Sequence, residues 1–143
     1  MRTLIAGWLR QRCDNKYTIA EEPELANGQR MDIWLHNTNV LSPVPIELKL
    51  LDKEWSGLDL CERLRNQLVG DYLREESAGC GVFLLVSQNV TKKWLINGSR
   101  VGLDELAAAL KCYWLEISHE YSGVDAIDVI VIDLAKRALF SDK

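Results

Sequence analysis

The stretch of sequence that decides the fold is Pro45-Ile46-Glu47-Leu48-Lys49-Leu50-Leu51. Apolar residues occupy the even positions from 46 to 50, and charged residues occupy the odd positions between them. This period of two predicts a β-strand with one apolar face and one polar face. Side chains two positions apart project from the same face, roughly 6–7 Å from each other. The strand therefore presents the Glu47 carboxylate and the Lys49 ammonium side by side.

The segment that precedes this strand, residues 30–36, alternates in the same way. Its apolar residues 31, 33 and 35 face one side, and Asp32, in the middle of the predicted strand, faces the other. The connection between the two strands is short, so we expect them to be antiparallel neighbours in one sheet. Pairing of this kind can bring Asp32 and Glu47 next to each other.

The two carboxylates define a candidate metal site. Carboxylates that lie close together repel each other unless a positive charge stands between them. Mg²⁺ or Mn²⁺ is the expected occupant, because hard divalent cations prefer oxygen ligands. Such a cation lowers the pKa of a bound water, and the Lys49 ammonium could orient that water and offset the charge of a phosphate in the transition state.

The remaining periodicities predict one α/β domain over residues 1–143, with the element order αβββαβαβ. An Asn27-Gly28 pair predicts a tight hairpin, and Ser56 with Asp59 predicts a capped helix that runs to about residue 76. We expect a mixed central sheet flanked by helices, with antiparallel strands first and buried parallel strands later. The other predicted helices cover residues 3–12, 103–117 and 135–139, and the other predicted strands cover residues 17–22, 80–86 and 127–134. The apolar stripe of the first helix is formed by Leu4, Ile5, Trp8 and Leu9.

The composition excludes several classes of protein. Hydrophobic residues make up 48% of the 143 residues and charged residues 27%, which is typical of a globular domain and excludes a disordered chain. No apolar run approaches the 18 or so residues that a membrane span needs, so we expect no membrane partner. The first residues lack a long apolar core followed by a small-residue cleavage site, so we expect a cytoplasmic protein.

The four cysteines exclude a clustered zinc site. Cys13, Cys61, Cys80 and Cys112 form no Cys-x-x-Cys pair, and the chain has only two histidines. A Cys/His zinc site needs ligands at short spacing. We therefore expect four reduced cysteines, most of them buried.

Three sequence elements together resemble the PD-(D/E)XK phosphodiesterases, also called restriction-endonuclease-like nucleases. They are Gly28-Gln29-Arg30-Met31-Asp32, Glu47-Leu48-Lys49, and Gln67 with Tyr72 on the following helix. The order αβββαβ is also the core of that family, so the resemblance covers residues 1–86 and implies a restriction-endonuclease-like fold. Gln67 stands out independently, because an amide at the edge of a helix stripe that faces the sheet needs a polar partner.

The resemblance implies a role for each residue of the site. Asp32 and Glu47 would be metal ligands, with the backbone carbonyl of Leu48 as a third. Lys49 would orient the nucleophilic water. Gln67 would be the helix glutamine that several subfamilies add to the active site.

The sequence departs from the family pattern in two places. Met31 stands where a proline is expected before the aspartate, and the first helix lacks the acid that many members use as an extra metal ligand. Glu22 is the nearest substitute for that ligand. Tyr72 is implied as the aromatic that accompanies the helix glutamine, and Arg30 and Arg63 are candidates for contacts with a substrate phosphate.

The predicted function is a metal-dependent nuclease that hydrolyses phosphodiester bonds, with DNA favoured over RNA as the substrate. It would act as an endonuclease, for example as an effector module in defence or mobile-element processing. The formal net charge of −4 argues against binding of nucleic acid through a general excess of positive charge. Binding of nucleic acid would then depend on the metal, on a homodimer, or on a larger host protein of which this chain is a module.

Two alternatives stay open at the level of sequence. The chain could be a catalytically inactive nucleic-acid-binding or interaction domain of the same fold. It could also be an α/β interaction domain in which the Glu47-Leu48-Lys49 triplet is a coincidence on a solvated polar face, since alternating charge on such a face is common.

Overall fold

The computed structural model describes residues 1–21, 32–37, 39, 43–72, 79–88 and 92–135, with the side chains of residues 71 and 72 left aside. Within these residues the chain is an α/β protein with three α-helices and a five-stranded mixed sheet. No helix in this part of the chain is long and apolar enough to cross a membrane. The predicted hairpin at Asn27-Gly28 and the predicted final helix from residue 136 onwards lie outside the described residues.

The order of helices and strands follows the prediction, with one hairpin added. The α-helices are α1 (Arg2–Arg12), α2 (Gly57–Glu62) and α3 (Leu103–Ile117). A π-helical segment, Arg63–Tyr72, continues α2, and a short 3₁₀ turn, Ser118–Glu120, follows α3. The strands are β1 (Thr18–Glu21), β2 (Ile33–His36), β3 (Val44–Leu50), β4 (Cys80–Ser87), β5 (Trp94–Ile96), β6 (Ser99–Val101) and β7 (Ala126–Asp133).

The main sheet joins an antiparallel half to a parallel half. Its strand order is β1-β2-β3-β4-β7. The pairs β1–β2 and β2–β3 are antiparallel, and the pairs β3–β4 and β4–β7 are parallel. The expected mixed sheet and the expected antiparallel pairing of β2 with β3 are both confirmed. β3 is the strand at which the direction of pairing changes.

Apolar layers cover the sheet on both faces. Phe83 and Leu85 of β4 point into the layer beneath α2, the π-helical segment and α3, and Leu84 and Val86 point into the layer beneath α1. The continuous apolar run of β4 is therefore a strand buried on both sides, as predicted. The second helix also contributes to the first layer, through buried residues that include Leu60, Cys61, Leu64 and Leu68.

Helix α1 turns a different face to the sheet than its sequence predicted. Leu4 and Trp8 are 69% and 53% exposed, whereas Ala6 is fully buried and Ile5 and Leu9 pack around it. Half of the predicted stripe is therefore wrong. The small Ala6 side chain allows the helix to approach the sheet closely, and Trp8 instead packs its ring against the Arg12 guanidinium at 4.6 Å.

The second helix begins as predicted but changes its winding. The Ser56 hydroxyl accepts a hydrogen bond from the Asp59 amide at 3.0 Å, and the Asp59 carboxylate accepts one from the Ser56 amide at 2.9 Å. This reciprocal cap lowers the pKa of Asp59, chiefly through the hydrogen bond from the Ser56 backbone. From Arg63 the helix is π-helical, so the expected regular α-helix is wrong there. A stripe of apolar residues does not distinguish the two windings, since both bring residues about one turn apart to the same face.

A small hairpin, β5–β6, lies between β4 and α3, where the sequence predicted neither a helix nor a strand. Asn97 and Gly98 have φ angles of +50° and +78°, the left-handed geometry of a tight turn between antiparallel strands. The sequence carries this signal as an Asn-Gly pair between two short β-prone runs. Trp94, the first residue of this hairpin, is 1% exposed and belongs to the core.

The cysteines are free, as predicted, but mostly not buried. Cys61 is buried among the helix residues, Cys13 is half-buried, and Cys80 and Cys112 are exposed. Cys80 is the first residue of β4, and Cys112 lies on the outer side of α3, so neither is covered by the core. The expectation that most cysteines are buried is wrong for this reason.

The close approach of α2 to the β5–β6 hairpin predicts the effect of a single methyl group. A Cβ atom at Gly57 would lie 1.9 Å from the carbonyl oxygen of Leu95, a backbone atom that cannot rotate away. We expect Gly57→Ala to lower the free energy of unfolding by about 1–3 kcal/mol, measured by urea denaturation.

The matched control is Gly7→Ala, where an added Cβ meets nothing within 4 Å inside α1. We expect it to raise the free energy of unfolding by about 0.5–1 kcal/mol, because alanine is the better helix former. Equal effects of the two substitutions would contradict the close contact between the hairpin and Gly57.

Candidate active site

The charged face of β3 is buried. Glu47 is 0% exposed, and the Lys49 side chain is 12% exposed. The Lys49 Nζ lies 2.5 Å from the Glu47 Oε1, so the two side chains form a close ion pair. Their parallel neighbours on β4 are Phe83 and Leu85, which share this face and belong to the core. This face is therefore not the solvated polar face that the simplest interpretation of the sequence expects.

Asp32 reaches β3 from just outside β2. It precedes the first residue of β2, so its predicted place in the middle of a strand is wrong. Ile33 pairs with Ile46, and continuation of this register by one residue would set Asp32 opposite Glu47. The Asp32 Oδ2 accepts a hydrogen bond from the Leu48 amide at 2.9 Å. Asp32 is therefore joined to β3 at Leu48 through its side chain rather than through a continued strand.

The backbone of Leu48 faces the side of β3 on which Asp32 lies. The Leu51 amide bonds to β4, through the Val86 carbonyl at 2.8 Å. In a strand, the amide and the carbonyl of one residue point to one edge, and those of the next residue point to the opposite edge. Leu48 lies three residues before Leu51, so its amide and carbonyl point away from β4. The Leu48 carbonyl, the predicted third ligand, is thus on the same edge as the Asp32 carboxylate.

A groove of about 400 Å³ opens at this edge, where the parallel strand β3 ends. Crevices at the carboxyl ends of parallel strands are common ligand sites in α/β proteins. Positive side chains outnumber acidic ones along its walls, which favours an anionic ligand. The groove is lined by Met1, Arg2, Thr3, Asp32, Leu48, Lys49, Leu50, Lys53 and Trp55.

Arg2 adds a basic group to the site that the sequence did not reveal. Its Nη1 lies 3.9 Å from the Asp32 Oδ1, at the outer limit of an ion pair. The two side chains are 34% and 28% exposed, so water screens their attraction. Asp32 is therefore held firmly by the Leu48 amide and only loosely by Arg2.

Trp55 is the second residue that the sequence did not reveal. The Lys49 Nζ and the Arg63 guanidinium carbon each lie 5.4 Å from the centre of its ring, within the range of cation–π contacts. The indole Nε1 donates a hydrogen bond to the Leu50 carbonyl at 3.1 Å. The available signal was its place in the connection that follows a buried strand, where ligand sites of α/β sheets form.

Gln67 lies in the π-helical segment and reaches the site through Arg63. The Arg63 Nη1 donates to the Gln67 Oε1 at 3.5 Å, and the Arg63 guanidinium packs on the Trp55 ring. Gln67 is half-buried, as its position on the helix predicted, but it is not one of the groove-lining residues. The structure thus places Asp32 and Lys49 in one groove, with Glu47 paired to Lys49, and leaves Gln67 outside the lining of that groove.

Three of the predicted site residues have no described side chain. Glu22 and Arg30 lie outside the described residues, as does the side chain of Tyr72. In the part of the chain that is described, no three acidic, histidine or cysteine side chains form a group that could hold a metal ion. The oxygens that could hold a cation there are those of Asp32 and Glu47 with the Leu48 carbonyl, an all-oxygen set of the kind that Mg²⁺ prefers.

A second, larger groove lies on the other side of α2. It has a volume of about 750 Å³ between α2, the π-helical segment, the β5–β6 hairpin and α3. Arg65 crosses it, donating to the Tyr121 hydroxyl at 3.0 Å and to Glu120 at 2.9 Å, and the Tyr121 bond raises the pKa of Arg65. Burial raises the pKa of Tyr113 in its wall and that of Cys61 to about 11. Arg65 is thereby committed to this groove and not to the candidate active site.

The buried ion pair predicts an asymmetric double-mutant cycle. Lys49→Met leaves the Glu47 carboxylate buried without its cation, and we expect it to lower the free energy of unfolding by about 3–5 kcal/mol. Adding Glu47→Gln should restore much of that loss, because the uncompensated charge is then removed. Urea denaturation measures all four proteins. As a control, Lys111→Met breaks an exposed pair with Asp128 and should have little effect.

The raised pKa of Cys61 predicts a slow thiol. With a pKa of about 11, only about one in a thousand Cys61 side chains is a thiolate at pH 8. We expect Cys61 to react with iodoacetamide at least roughly a hundredfold more slowly than the exposed Cys80 and Cys112, as measured by peptide mass spectrometry. Its rate should continue to rise with pH up to about 11. Equal labelling rates at pH 8 would contradict the buried position of Cys61.

Comparisons with models of known protein families, with curated proteins and with solved structures found no match to this chain. The functional interpretation therefore depends on the residues and their geometry. Two of the sequence-predicted residues, Asp32 and Lys49, line a groove with an excess of positive side chains, and the third, Glu47, is buried in an ion pair with Lys49.

Proposed function

We propose that this chain is a metal-dependent nuclease of the PD-(D/E)XK type, which hydrolyses phosphodiester bonds in DNA ahead of RNA. The observation that carries the proposal is the buried pair of Glu47 and Lys49, 2.5 Å apart on β3, with Asp32 bound to the amide of Leu48 between them. A buried ion pair is a poor way to stabilise a fold, since apolar residues of the same size often do better. A catalytic role for Glu47 and Lys49 would explain why the chain keeps a buried ion pair at this position.

The element order also supports the proposal. The described order from α1 to β4 is αβββαβ, with β1 to β3 antiparallel and β4 added in parallel. This is the order of the restriction-endonuclease-like core that the sequence resembles. The active-site motif of that family falls on the second and third strands; here Glu47 and Lys49 lie on β3, and Asp32 immediately precedes β2.

The residues divide the chemistry between them. Asp32, Glu47 and the Leu48 carbonyl would hold Mg²⁺, or Mn²⁺ in its place. When bound, the cation supplies Lewis acidity, which lowers the pKa of a water and stabilises negative charge on the phosphate. Lys49 donates hydrogen bonds that orient the attacking water and offset the charge of the transition state.

The groove supplies the contacts to the substrate backbone. Arg2 and Lys53 line it beside Lys49, and Arg63 lies over Trp55 at its edge. Contacts with phosphates position a nucleic acid without reading its sequence. The net charge of −4 is small but negative, so a homodimer or a larger host protein would add to the grip. A cytoplasmic setting in defence or mobile-element processing fits this activity.

One observation favours a second candidate, a domain of the same fold that binds nucleic acid or a protein without cutting. Asp32 is engaged by the Leu48 amide and by Arg2, and Glu47 is engaged by Lys49. Both carboxylates thus have partners within the protein. A domain that has lost catalysis would keep such internal pairs and the positive groove, while no longer holding a cation.

A cleavage assay decides between the two candidates. We expect the protein to cut plasmid or linear DNA only with Mg²⁺ or Mn²⁺, and Asp32→Asn to reduce the rate by at least roughly a hundredfold. Asparagine keeps an oxygen that can accept from the Leu48 amide, so the fold should persist. Lys49→Arg keeps the charge beside Glu47 but replaces a compact ammonium by a planar fork, and should also reduce the rate.

The matched control is Asp128→Asn, which removes a carboxylate paired with Lys111 on α3, away from the groove. It should cut at the rate of the unaltered protein. If plasmid, linear duplex, single-stranded DNA and RNA all stay intact with either metal, the nuclease proposal is wrong. Salt-dependent binding without cutting would then support the second candidate.

A further inference from the structure

Trp55 lies where the candidate site meets the helix behind it. Its ring is 5.4 Å from the Lys49 ammonium and equally far from the Arg63 guanidinium. From Lys49 the contacts continue to Glu47 at 2.5 Å, and from Arg63 they continue to Gln67 at 3.5 Å. One aromatic ring thus joins the two parts of the site, one on β3 and one on the π-helical segment.

Hydrogen bonds fix Trp55 from two directions. Its indole donates to the Leu50 carbonyl at 3.1 Å, which ties the ring to the end of β3. Its own carbonyl accepts from the Trp94 indole at 3.1 Å and from the Lys92 ammonium, which ties the backbone to the start of the β5–β6 hairpin. A tryptophan held at both its ring and its backbone is a rigid support for any side chain that packs on it.

Lysine needs such a support. Its long side chain has several rotatable bonds, and holding the ammonium in one place costs conformational entropy. Glu47 attracts the ammonium, but an ion pair alone leaves the carbon chain free to take other paths. The face of a fixed ring restricts these paths, and its quadrupole attracts the cation as well.

We infer that Trp55 is a positioning residue, which holds the Lys49 ammonium beside Glu47. Through its contact with Arg63 it also fixes the positions of Arg63 and Gln67 relative to Lys49. The catalytic part of this inference rests on the proposed nuclease function. The positional part does not, because the order of the Lys49 side chain can be measured without any reaction.

The positional test uses NMR of protein labelled with ¹³C-lysine, with the Lys49 signals assigned from Lys49→Arg. A held lysine over an indole ring shows two separate Hε resonances, both displaced upfield. We expect Trp55→Leu to merge them at the position of a free lysine, and Trp55→Phe to keep most of the separation. The matched control, Trp8→Leu, removes an exposed tryptophan that packs on Arg12 and should change nothing at Lys49.

The catalytic test uses the same variants in the cleavage assay. We expect Trp55→Leu to lower kcat by roughly 10- to 100-fold with little change in KM, since a misplaced group costs rate more than binding. Trp55→Phe should restore most of the loss. An unchanged Lys49 spectrum in Trp55→Leu, or a kcat within twofold of the unaltered protein, would overturn the inference.

The two proposals fail in different ways. If the unaltered protein cuts nothing, the nuclease function is wrong, and the NMR result still decides whether Trp55 positions Lys49. If the unaltered protein cuts and Trp55→Leu cuts equally well, the nuclease function stands and the role of Trp55 is wrong. If Trp55→Leu unfolds, Trp55→Phe still decides the question: the weaker ring current of phenylalanine should reduce the upfield displacement of the Lys49 Hε resonances, and an unchanged displacement would overturn the inference.

Discussion

The ion pair between Glu47 and Lys49 is the constraint around which the site is built. Both charges leave water, which costs several kcal/mol for each ion unless close partners offset it. The pair is 2.5 Å apart and lies on the same face as Phe83 and Leu85, so the sheet and the helix layer above it close over the charges. On its other sides, the Lys49 ammonium faces the Trp55 ring at 5.4 Å, and the side chain lines the groove.

The topology of the sheet explains why the groove is at this position. β3 pairs in parallel with β4 from Ile46 to Leu50, but its described antiparallel pairing with β2 covers only Val44 to Ile46. Beyond that point the other edge of β3 turns its backbone groups outward. Asp32 binds the amide of Leu48 there, and the connection to α2 folds back so that Trp55 binds the Leu50 carbonyl. Within the described residues, side chains rather than a further strand thus occupy the edge of β3 beyond Ile46.

The sequence was informative where a local period or cap determines the structure. The alternation around Glu47 predicted the strand and its paired charges, and Ser56 predicted the start of α2. The alternation also ran through Asp32, so it could not show that β2 begins only at Ile33, directly after Asp32. The period of α1 could not show which of its apolar residues face the sheet. That choice depends on how closely the helix can approach the sheet at Ala6. Trp55 was out of reach for a similar reason, since its partners come from β3 and from the π-helical segment and not from its neighbours in sequence.

The overall charge of −4 is a poor guide to the groove, because the charges there depend on one another. Arg2 lies near Asp32, and Lys49 is paired with Glu47, so two of the positive side chains are balanced by the two carboxylates. If the carboxylates hold a divalent cation, as the proposed function requires, they no longer balance Arg2 and Lys49. Both basic groups are then left to attract a phosphate, and with Lys53 they give the groove a positive field that the chain as a whole lacks. Binding of the cation and binding of the phosphate would therefore favour each other, since each removes charge that the other would otherwise face.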